Sequence, residues 1–369
     1  MTNHRIDEIL KSCKVLICVG SGGVGKTTTS AALGVRAAQI GLKVLVMTID
    51  PAKRLKAALG IGDNSSSGVK VAGQNYSGQL YATLLNAEEI FKKFILSAST
   101  DAELAERLLR NKLYEQLSTT LSGSQEFTSL LQLSKIVDEE EYDLVILDTP
   151  PAQHAVDFLE APAKINALFQ DSMVRWFVGD NNEGGFIRKI ISRGTQTVLH
   201  ALEKITGSNF MRELSDFFVS IRAVQNQIGQ RSEQVQKIIT RPTTVFFLIT
   251  AFDQAKLREG ELLHNYLEGR GCHMKAVLIN RAFSIWGGVV ERPKHPQLQQ
   301  IYEGWRGYHE QREQIFAQFS KKWSKKLPVA RIPDLNSDIS GLNGLEVVAN
   351  EIALAFDGTG TYRELQSSL

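Results

Sequence analysis

The sequence predicts an α/β fold, a doubly wound and mostly parallel sheet with an inserted α-helical subdomain. Three observations carry this prediction: apolar runs alternate with helical stretches, a glycine-rich loop joins the first run to a helix, and two long intervals break the alternation. In such folds, ligands bind at the carboxyl ends of the strands. Functional side chains are therefore expected at that edge of the sheet.

The alternation rests on six apolar, β-rich runs, each followed by a turn or helix signal. Their residues are 15–19, 43–49, 144–147, 245–250, 276–279 and 329–332. A glycine and proline loop after Asn280 precedes a predicted long helix that carries Ile301, Trp305 and Trp323. The chain therefore has the strand and helix content of one large parallel sheet.

The glycine-rich loop matches the P-loop pattern, and its residues are Gly20, Ser21, Gly22, Gly23, Val24, Gly25, Lys26, Thr27 and Thr28. Glycines let the backbone N–H groups surround a phosphate, and the following helix adds its positive N-terminal dipole. Lys26 can reach the β- and γ-phosphates, and the Thr27 hydroxyl would ligate Mg²⁺. A glycine-rich turn that fits by chance is the alternative, but the flanking strand and helix favour nucleotide binding.

Two carboxylates follow neighbouring predicted strands. Asp148 ends the run 144–147, as the Walker B carboxylate does in phosphate-loop NTPases, and Asp50 ends the run 43–49. One carboxylate can organise Mg²⁺ while the other orients the attacking water. Each could instead cap the helix after its strand. Their conjunction with the loop predicts a metal set of Thr27, Asp50 and Asp148.

Two helix-rich intervals, 87–130 and 161–240, are predicted to form the inserted subdomain. The nucleotide-binding core would then comprise 1–86, 131–160 and 241–358, and residues 359–369 are expected to be a disordered tail. Apolar residues between Phe210 and Val224 fall on one face of a helix, which is typical of a private core and also fits a groove for an apolar helix. Both interpretations stay open.

The composition is that of an ordinary globular protein. Of 369 residues, 43% are hydrophobic and 22% charged, and a net charge of +2 gives no case for nucleic acid binding. No apolar run approaches a membrane span, and Met1–Lys11 lacks the core of a signal peptide, so we expect a cytoplasmic protein without direct membrane insertion. The cysteines Cys13, Cys18 and Cys272 have no paired spacing and are expected to be buried thiols.

Four motifs in order resemble the arsenite-pump and tail-anchored-protein targeting ATPases (ArsA-like), especially their bacterial anion-transporting branch. The motifs are Gly20 to Thr28, Thr48-Ile49-Asp50-Pro51-Ala52, Asp148-Thr149-Pro150-Pro151-Ala152-Gln153-His154 and Val277-Leu278-Ile279-Asn280. The resemblance implies a P-loop ATPase with ATP and Mg²⁺ as cofactors, and a dimer that closes over two ATP molecules. It makes Asp50 the water-positioning residue, Asp148 to His154 the segment that relays phosphate state, and Asn280 an adenine ligand. Pro333 and Asp334 complete the expected nucleotide-binding residues.

The chain also departs from that family. The deviant Walker A loop usually carries a lysine that reaches the partner's phosphates, and Ser21 stands at that position. Loss of such a cation implies slow turnover, compensation by another cation such as Lys53 or Arg54, or a partner that supplies the lysine. The zinc-binding Cys-x-x-Cys after Asn280 and the metalloid-binding cysteines are missing as well. Arsenite transport is therefore not expected.

Two functions are compatible with these residues. The first is a Mg²⁺-dependent ATPase switch, a homodimer or heterodimer, that couples nucleotide state to a helical surface for a partner or for an apolar-helix or membrane-protein client. The second is a poorly hydrolysing ATP-binding subunit that works with a paralogous ATPase carrying the signature lysine. A metabolic kinase or ligase would need a small-substrate pocket, for which the sequence has no motif.

Overall fold

The computed structural model describes part of the chain and divides it into two compact units. The described residues are 4–48, 55, 59, 68–99, 101–112, 114, 124–149, 152–168, 213, 216–217, 219–220, 224–282, 292–323, 327–335, 339 and 341–358. Unit 1 comprises 1–85, 135–156 and 239–369, and unit 2 comprises 86–134 and 157–238. The predicted domain bounds stay a prediction, and the proposed tail 359–369 lies outside the described residues.

Unit 1 contains one eight-stranded sheet in the order β3-β4-β2-β5-β1-β6-β7-β8. Every neighbouring pair is parallel except β3 and β4, which are antiparallel. This confirms the predicted α/β class. The strands are β1 (Val15–Val19), β2 (Lys43–Thr48), β3 (Val69–Lys70), β4 (Gln79–Leu84), β5 (Leu144–Asp148), β6 (Thr244–Ala251), β7 (His273–Ala282) and β8 (Val329–Pro333).

The helices of the described residues follow in chain order. They are α1 (Arg5–Ser12), α2 (Lys26–Gln39), α3 (Ala87–Ala98), α4 (Ala102–Arg110), α5 (Ser124–Asp138), α6 (Ala152–Leu168), α7 (Gln225–Thr240), α8 (Gln254–Gly269), α9 (Pro296–Trp323) and α10 (Gly341–Asp357). The predicted long helix is α9, and it begins on a proline, which tolerates the first helical position because that N–H has no intrahelical partner.

All six predicted strands are present, and the sequence analysis missed two. The residues of β1 and β5 are all buried, because a parallel sheet is covered on both faces and selects continuous apolar runs. The start of β4 alternates instead: Leu80 and Ala82 are buried, whereas Gln79 is exposed and Tyr81 is half-buried. The apolar-run criterion therefore passed over β4 and its two-residue neighbour β3.

The core of unit 1 fixes the sheet between helices. Side chains of α1, α2 and α10 share one buried cluster with one face of the strands, including Leu16, Cys18 and Ile146. On α8, the Cα of Gly260 approaches Leu248 so closely that a Cβ there would lie 3.1 Å from its side chain. Tight packing of this kind makes the strand ends a rigid platform for a site.

Unit 2 is helical in its described part, with an aromatic interior. Phe91 stacks on Tyr114 with ring centroids 5.8 Å apart, and Phe94 meets Phe127 edge to face at 6.4 Å. Of the predicted apolar stripe, Phe217 and Val224 are buried, which fits a private core at these two positions. Five further members lie outside the described residues: Phe210, Met211, Leu214, Phe218 and Ile221.

The helices of the described residues fall short of a membrane span. None of them combines the length and the apolar character that crossing a bilayer requires.

Candidate nucleotide-binding site

The phosphate-binding loop leaves β1 at Gly20 and enters α2 at Lys26, as the sequence predicts. Gly20 packs against β6 so closely that a Cβ would lie 1.9 Å from the carbonyl oxygen of Ile249. Gly23 and Gly25 have φ angles of 76° and 87°, in the left-handed region that favours glycine. The glycines thus serve both the close approach to β6 and the turn into the helix.

Lys26 is buried within this loop, with 7% of its surface exposed. Its Nζ donates hydrogen bonds to the carbonyl oxygens of Gly20 and Ser21, at 3.0 and 2.9 Å. The ammonium therefore lies along the loop itself, beside the N-terminus of α2. A phosphate seated on the loop would meet this charge and the helix dipole together.

A second group joins the loop to the two strands beside it. The Thr27 hydroxyl donates to Oδ2 of Asp148 at 2.6 Å, and the Thr48 hydroxyl donates to the same oxygen at 3.0 Å. Asp148 is 1% exposed and ends β5, directly opposite Thr48 at the end of β2. The structure thus brings together Thr27 and Asp148, two members of the predicted metal set, while their role as metal ligands stays a prediction.

Sequence reasoning missed the contribution of Thr48. Thr48 stands two places before Asp50. The signal in the sequence was a threonine close to the end of an otherwise apolar predicted strand. Asp50 itself, with Lys53 and Arg54, lies outside the described residues. The neighbouring arrangement of β2 and β5, on which the pairing of the two carboxylates depends, is nevertheless observed.

The donor set fits Mg²⁺, which prefers hard oxygen ligands and keeps several waters. Thr27 and Asp148 would hold the ion through a hydroxyl and a carboxylate. Within the described ranges, no cluster of three or more His, Cys, Asp or Glu side chains could hold a metal alone. Phosphate oxygens and water would therefore complete the coordination, as is usual for Mg²⁺ on nucleotides.

The opposite flank of the loop contacts α8. Glu259 on α8 lies beside the Ser21 side chain and pairs with Lys256, whose Nζ lies 3.1 Å from Oε2. The nearby Ser21 hydroxyl, then the Lys256 ammonium, hold the pKa of Glu259 below its usual range. Ser21 is 3% exposed. The residue at the signature-lysine position is thus turned toward its own chain, a contact that sequence reasoning could not find.

The end of β7 also contacts the loop, and β8 ends beside β7. Asn280 is nearly buried, and its Nδ2 donates to the carbonyl oxygen of Val24 at 2.9 Å. The amide of Asp334 donates to the carbonyl oxygen of Ala282 at 3.0 Å, and Pro333 is the register partner of Ala282. Asn280, Pro333 and Asp334, which are all predicted to bind the nucleotide, therefore share this edge, while their contact with it stays a prediction.

The cysteines are not reactive groups of the site. All three are buried free thiols, as predicted. Burial raises the pKa of Cys13 and Cys18 to about 12 and that of Cys272 to about 11. Cys18 lies next to the loop, where its carbonyl oxygen accepts a hydrogen bond from the Thr149 hydroxyl at 2.7 Å. Its backbone rather than its sulfur supports the site.

A glycine-rich loop with a buried lysine, next to a carboxylate that a loop threonine contacts, defines a P-loop nucleotide-binding protein. Residues 13–354 match the family model described as anion-transporting ATPase, and the chain belongs to this ArsA ATPase family. The resemblance inferred from the four motifs is thereby confirmed, and the family's activity is that of an ATPase.

Individual relatives support the assignment at moderate identity. The chain is 24% identical over 344 residues to the putative arsenical pump-driving ATPase 1 of Aquifex aeolicus, covering 92% of this chain and 78% of that protein. It is 22% identical over 340 residues to ATPase get3 of Aspergillus terreus, with 91% and 89% covered. ATPase GET3 of Malassezia globosa is 32% identical over 154 residues, 42% of this chain and 44% of that protein.

Proposed function

We propose that this chain is a Mg²⁺-dependent ATPase of slow turnover that acts as a dimeric switch. Nucleotide state at the sheet edge would govern a helical surface of unit 2 that holds a partner or an apolar client segment. The observation that carries the ATPase proposal is the hydrogen bond from Thr27 to Asp148, which joins the phosphate loop to a neighbouring strand end at 2.6 Å. These are the two halves of a nucleotide–metal site.

The chain's own residues divide the chemistry. The loop amides and Lys26 would bind the phosphates, since both present positive charge toward the helix N-terminus. Thr48 would fix the orientation of the Asp148 carboxylate. When bound, Mg²⁺ supplies charge neutralisation on the phosphate oxygens. Asp50 is assigned the orientation of the attacking water, by resemblance to the family.

Dimerisation and client binding are supported by relatives rather than by contacts within this chain. Proteins named ATPase GET3 are among the relatives. On that basis we infer a composite site, in which two copies close over ATP and open after hydrolysis. Closure would bring two helical units together, and an apolar helix of a membrane protein is the client chemistry that such a surface fits.

A second candidate is a poorly hydrolysing subunit that pairs with a paralogous ATPase. The observation that favours it is Ser21, which is buried beside Glu259 at the position where the family has its lysine. A cation acting across the dimer contributes about 10³ to 10⁵ in rate. A partner that brings its own lysine would restore that contribution.

Nucleotide binding and turnover are tested by two substitutions. Lys26→Ala is expected to weaken ATP binding at least 100-fold in calorimetry, which is about 2.7 kcal/mol, because the loop loses its buried ammonium. Asp50→Asn should keep ATP affinity within threefold and abolish phosphate release. Normal hydrolysis by Asp50→Asn would show that Asp50 does not position the attacking water. Unchanged ATP affinity in Lys26→Ala would show that this loop is not the nucleotide-binding site.

The preference for adenine is tested with the same calorimetry. Asn280 follows β7 without a guanine-reading Asn/Thr-Lys-x-Asp motif, since the next residues are Arg281, Ala282 and Phe283. ATP is therefore expected to bind at least tenfold more tightly than GTP. Equal affinities would contradict the proposed base site.

Sedimentation distinguishes the two candidate functions. The switch requires the purified chain to dimerise when ATP and Mg²⁺ are added. A chain that binds ATP and stays monomeric favours the paralogue, which a pull-down with the Asp50→Asn variant in ATP would retain and identify.

A further inference from the structure

Helix α9 is divided into an anchored half and an exposed half. Near its middle, Nη1 of Arg312 donates to the carbonyl oxygen of Phe252 at 2.7 Å, and the Phe316 ring stacks on that of Phe252 at 5.9 Å. Further along, Phe319 and Trp323 are buried. Phe252 directly follows β6, so Arg312 marks the level at which α9 crosses the edge of the sheet that carries the phosphate loop.

The preceding residues of α9, 296–311, extend beyond this edge. The chain reaches α9 from the carboxyl end of β7 and leaves it toward the start of β8, so its first half lies on the nucleotide side. None of these described residues is buried. We call residues 296–311 the α9 arm; at 1.5 Å per residue it is about 24 Å long.

An apolar stripe runs along the α9 arm. Leu298, Ile301, Trp305 and Tyr308 are 55%, 58%, 53% and 36% exposed, and they make up four of the nine exposed large hydrophobic side chains among the described residues. Their spacing of three, four and three residues is that of the a and d positions of a coiled coil. Such a stripe is typical of a helix that packs on another helix.

The stripe is symmetric about Glu303, which lies on the opposite face of the helix. Leu298 and Tyr308 are five residues from this centre, and Ile301 and Trp305 are two. In an antiparallel pair of identical arms, each aliphatic side chain would therefore meet an aromatic one of the other copy. A contact of this kind is isologous, as a two-fold dimer requires.

The charges of the α9 arm permit this pairing. Arg306 pairs with Glu310 at 2.8 Å, and Glu303 pairs with Arg292 at 3.9 Å, so the acidic and basic groups of one arm are matched within its own chain. An identical arm would meet little like-charge repulsion. The arm carries no lysine, and a membrane-surface helix is usually rich in Lys or Arg.

From these observations we infer that the α9 arm is a dimer contact, in which the stripes of two copies of this chain pack antiparallel on the nucleotide side of the sheet. The inference rests on the dimer of the proposed function and names the surface that joins it. Two heptads are short for a stable coiled coil. The arms would therefore add to an ATP-dependent association rather than cause it alone.

Association is measured first, by sedimentation in ATP and Mg²⁺. Trp305→Gln and Ile301→Gln are each expected to raise the dimer dissociation constant tenfold or more, because a symmetric contact loses each side chain twice. Leu262→Gln is the matched control: this leucine is 65% exposed on α8, and association should stay within twofold of the parent. The melting temperature without nucleotide, and the ATP affinity measured on the monomer at protein concentrations below the dimer dissociation constant, should not change in any of the three variants.

Register is measured by disulfide formation, which the three buried native cysteines do not disturb. Antiparallel arms bring position 301 of one copy to position 305 of the other. An equal mixture of Ile301→Cys and Trp305→Cys chains should therefore cross-link faster than either variant alone. A parallel contact would instead cross-link each variant with itself and would overturn the antiparallel arrangement.

The outcomes separate this inference from the function on which it rests. If the parent dimerises in ATP while the glutamine variants associate normally and the mixture fails to cross-link, the α9 arm is not the contact and the switch stands. A lowered melting temperature with normal association would mean that the stripe packs within its own chain. A parent that binds ATP as a monomer overturns both the arm contact and the self-dimer.

Discussion

The two flanks of the phosphate loop differ in burial and in chemistry. On the sheet side, buried Lys26 meets backbone carbonyls, and half-buried Thr27 meets the buried Asp148 carboxylate. On the α8 side, Ser21 meets Glu259, whose side chain is 47% exposed. Removing one member of a buried polar group costs about 1–3 kcal/mol or more, whereas an exposed ion pair contributes about 0–1 kcal/mol. The sheet side should therefore decide binding and chemistry, and the α8 side should tune them.

The largest effect is expected at the root of the loop. In Gly20→Ala, the new Cβ would lie 1.9 Å from the carbonyl oxygen of Ile249, and backbone in two central strands must move. We expect a loss of about 3 kcal/mol or more in the free energy of unfolding, measured in urea.

A glycine away from the loop provides the control. Gly73 has a φ of 74°, but a Cβ added there would have no other atom within 4 Å, so Gly73→Ala should cost only about 1 kcal/mol. Equal losses in the two variants would mean that backbone conformation, and not the close approach to β6, makes Gly20 necessary.

An intermediate effect is expected at Thr48. Thr48→Val keeps the shape of the side chain but removes the hydroxyl that donates to Asp148 at 3.0 Å. One lost hydrogen bond to a charged group, about 1.5 kcal/mol, should lower kcat roughly tenfold. ATP affinity should stay within twofold, because the lost hydrogen bond is to the Asp148 carboxylate and not to a phosphate-binding group.

Thr244→Val is the matched control for this substitution. The Thr244 hydroxyl is buried at the start of β6, and within the described structure it makes no hydrogen bond. Its replacement should leave turnover unchanged and should not lower stability. If the Thr48→Val enzyme kept the parental kcat, the Thr48 hydroxyl would not be needed to orient the Asp148 carboxylate.

The smallest effect is expected on the α8 side. Glu259→Gln should change the free energy of unfolding by under about 0.5 kcal/mol, because solvent screens the pair. The folded-state pKa of Glu259 is lowered from its ordinary value of 4.5, so its contribution is present above pH 4.5 and is lost as pH falls through the folded pKa. Stability curves of parent and variant should therefore converge in acid. A gap that widens below pH 4.5 would reverse the sign of the interaction.

Features that a local sequence pattern encodes could be predicted from the sequence, whereas contacts between distant residues could not. The strands of the parallel sheet and the phosphate loop could be predicted because local patterns encode them. Val15–Val19 is continuously apolar, and the loop glycines are required by the left-handed backbone at Gly23 and Gly25 and by the close approach of Gly20 to β6. The contact of Ser21 with Glu259 could not be predicted, since it joins residues far apart in sequence. Likewise, the stripe from Leu298 to Tyr308 has the same spacing whether it packs in a core or lies exposed, and only the structure distinguishes the two.

The central claim is that the sheet side of the phosphate loop decides the chemistry and the α8 side only tunes it. Its most direct test is ATP turnover in Mg²⁺ for the parent, Asp148→Asn and Glu259→Gln, measured as phosphate release on proteins matched for melting temperature. The parent should hydrolyse ATP slowly. Asp148→Asn should lose at least 100-fold in kcat, about 2.7 kcal/mol, while Glu259→Gln stays within threefold. Parental turnover by Asp148→Asn, or an equal loss in both variants, would contradict the account.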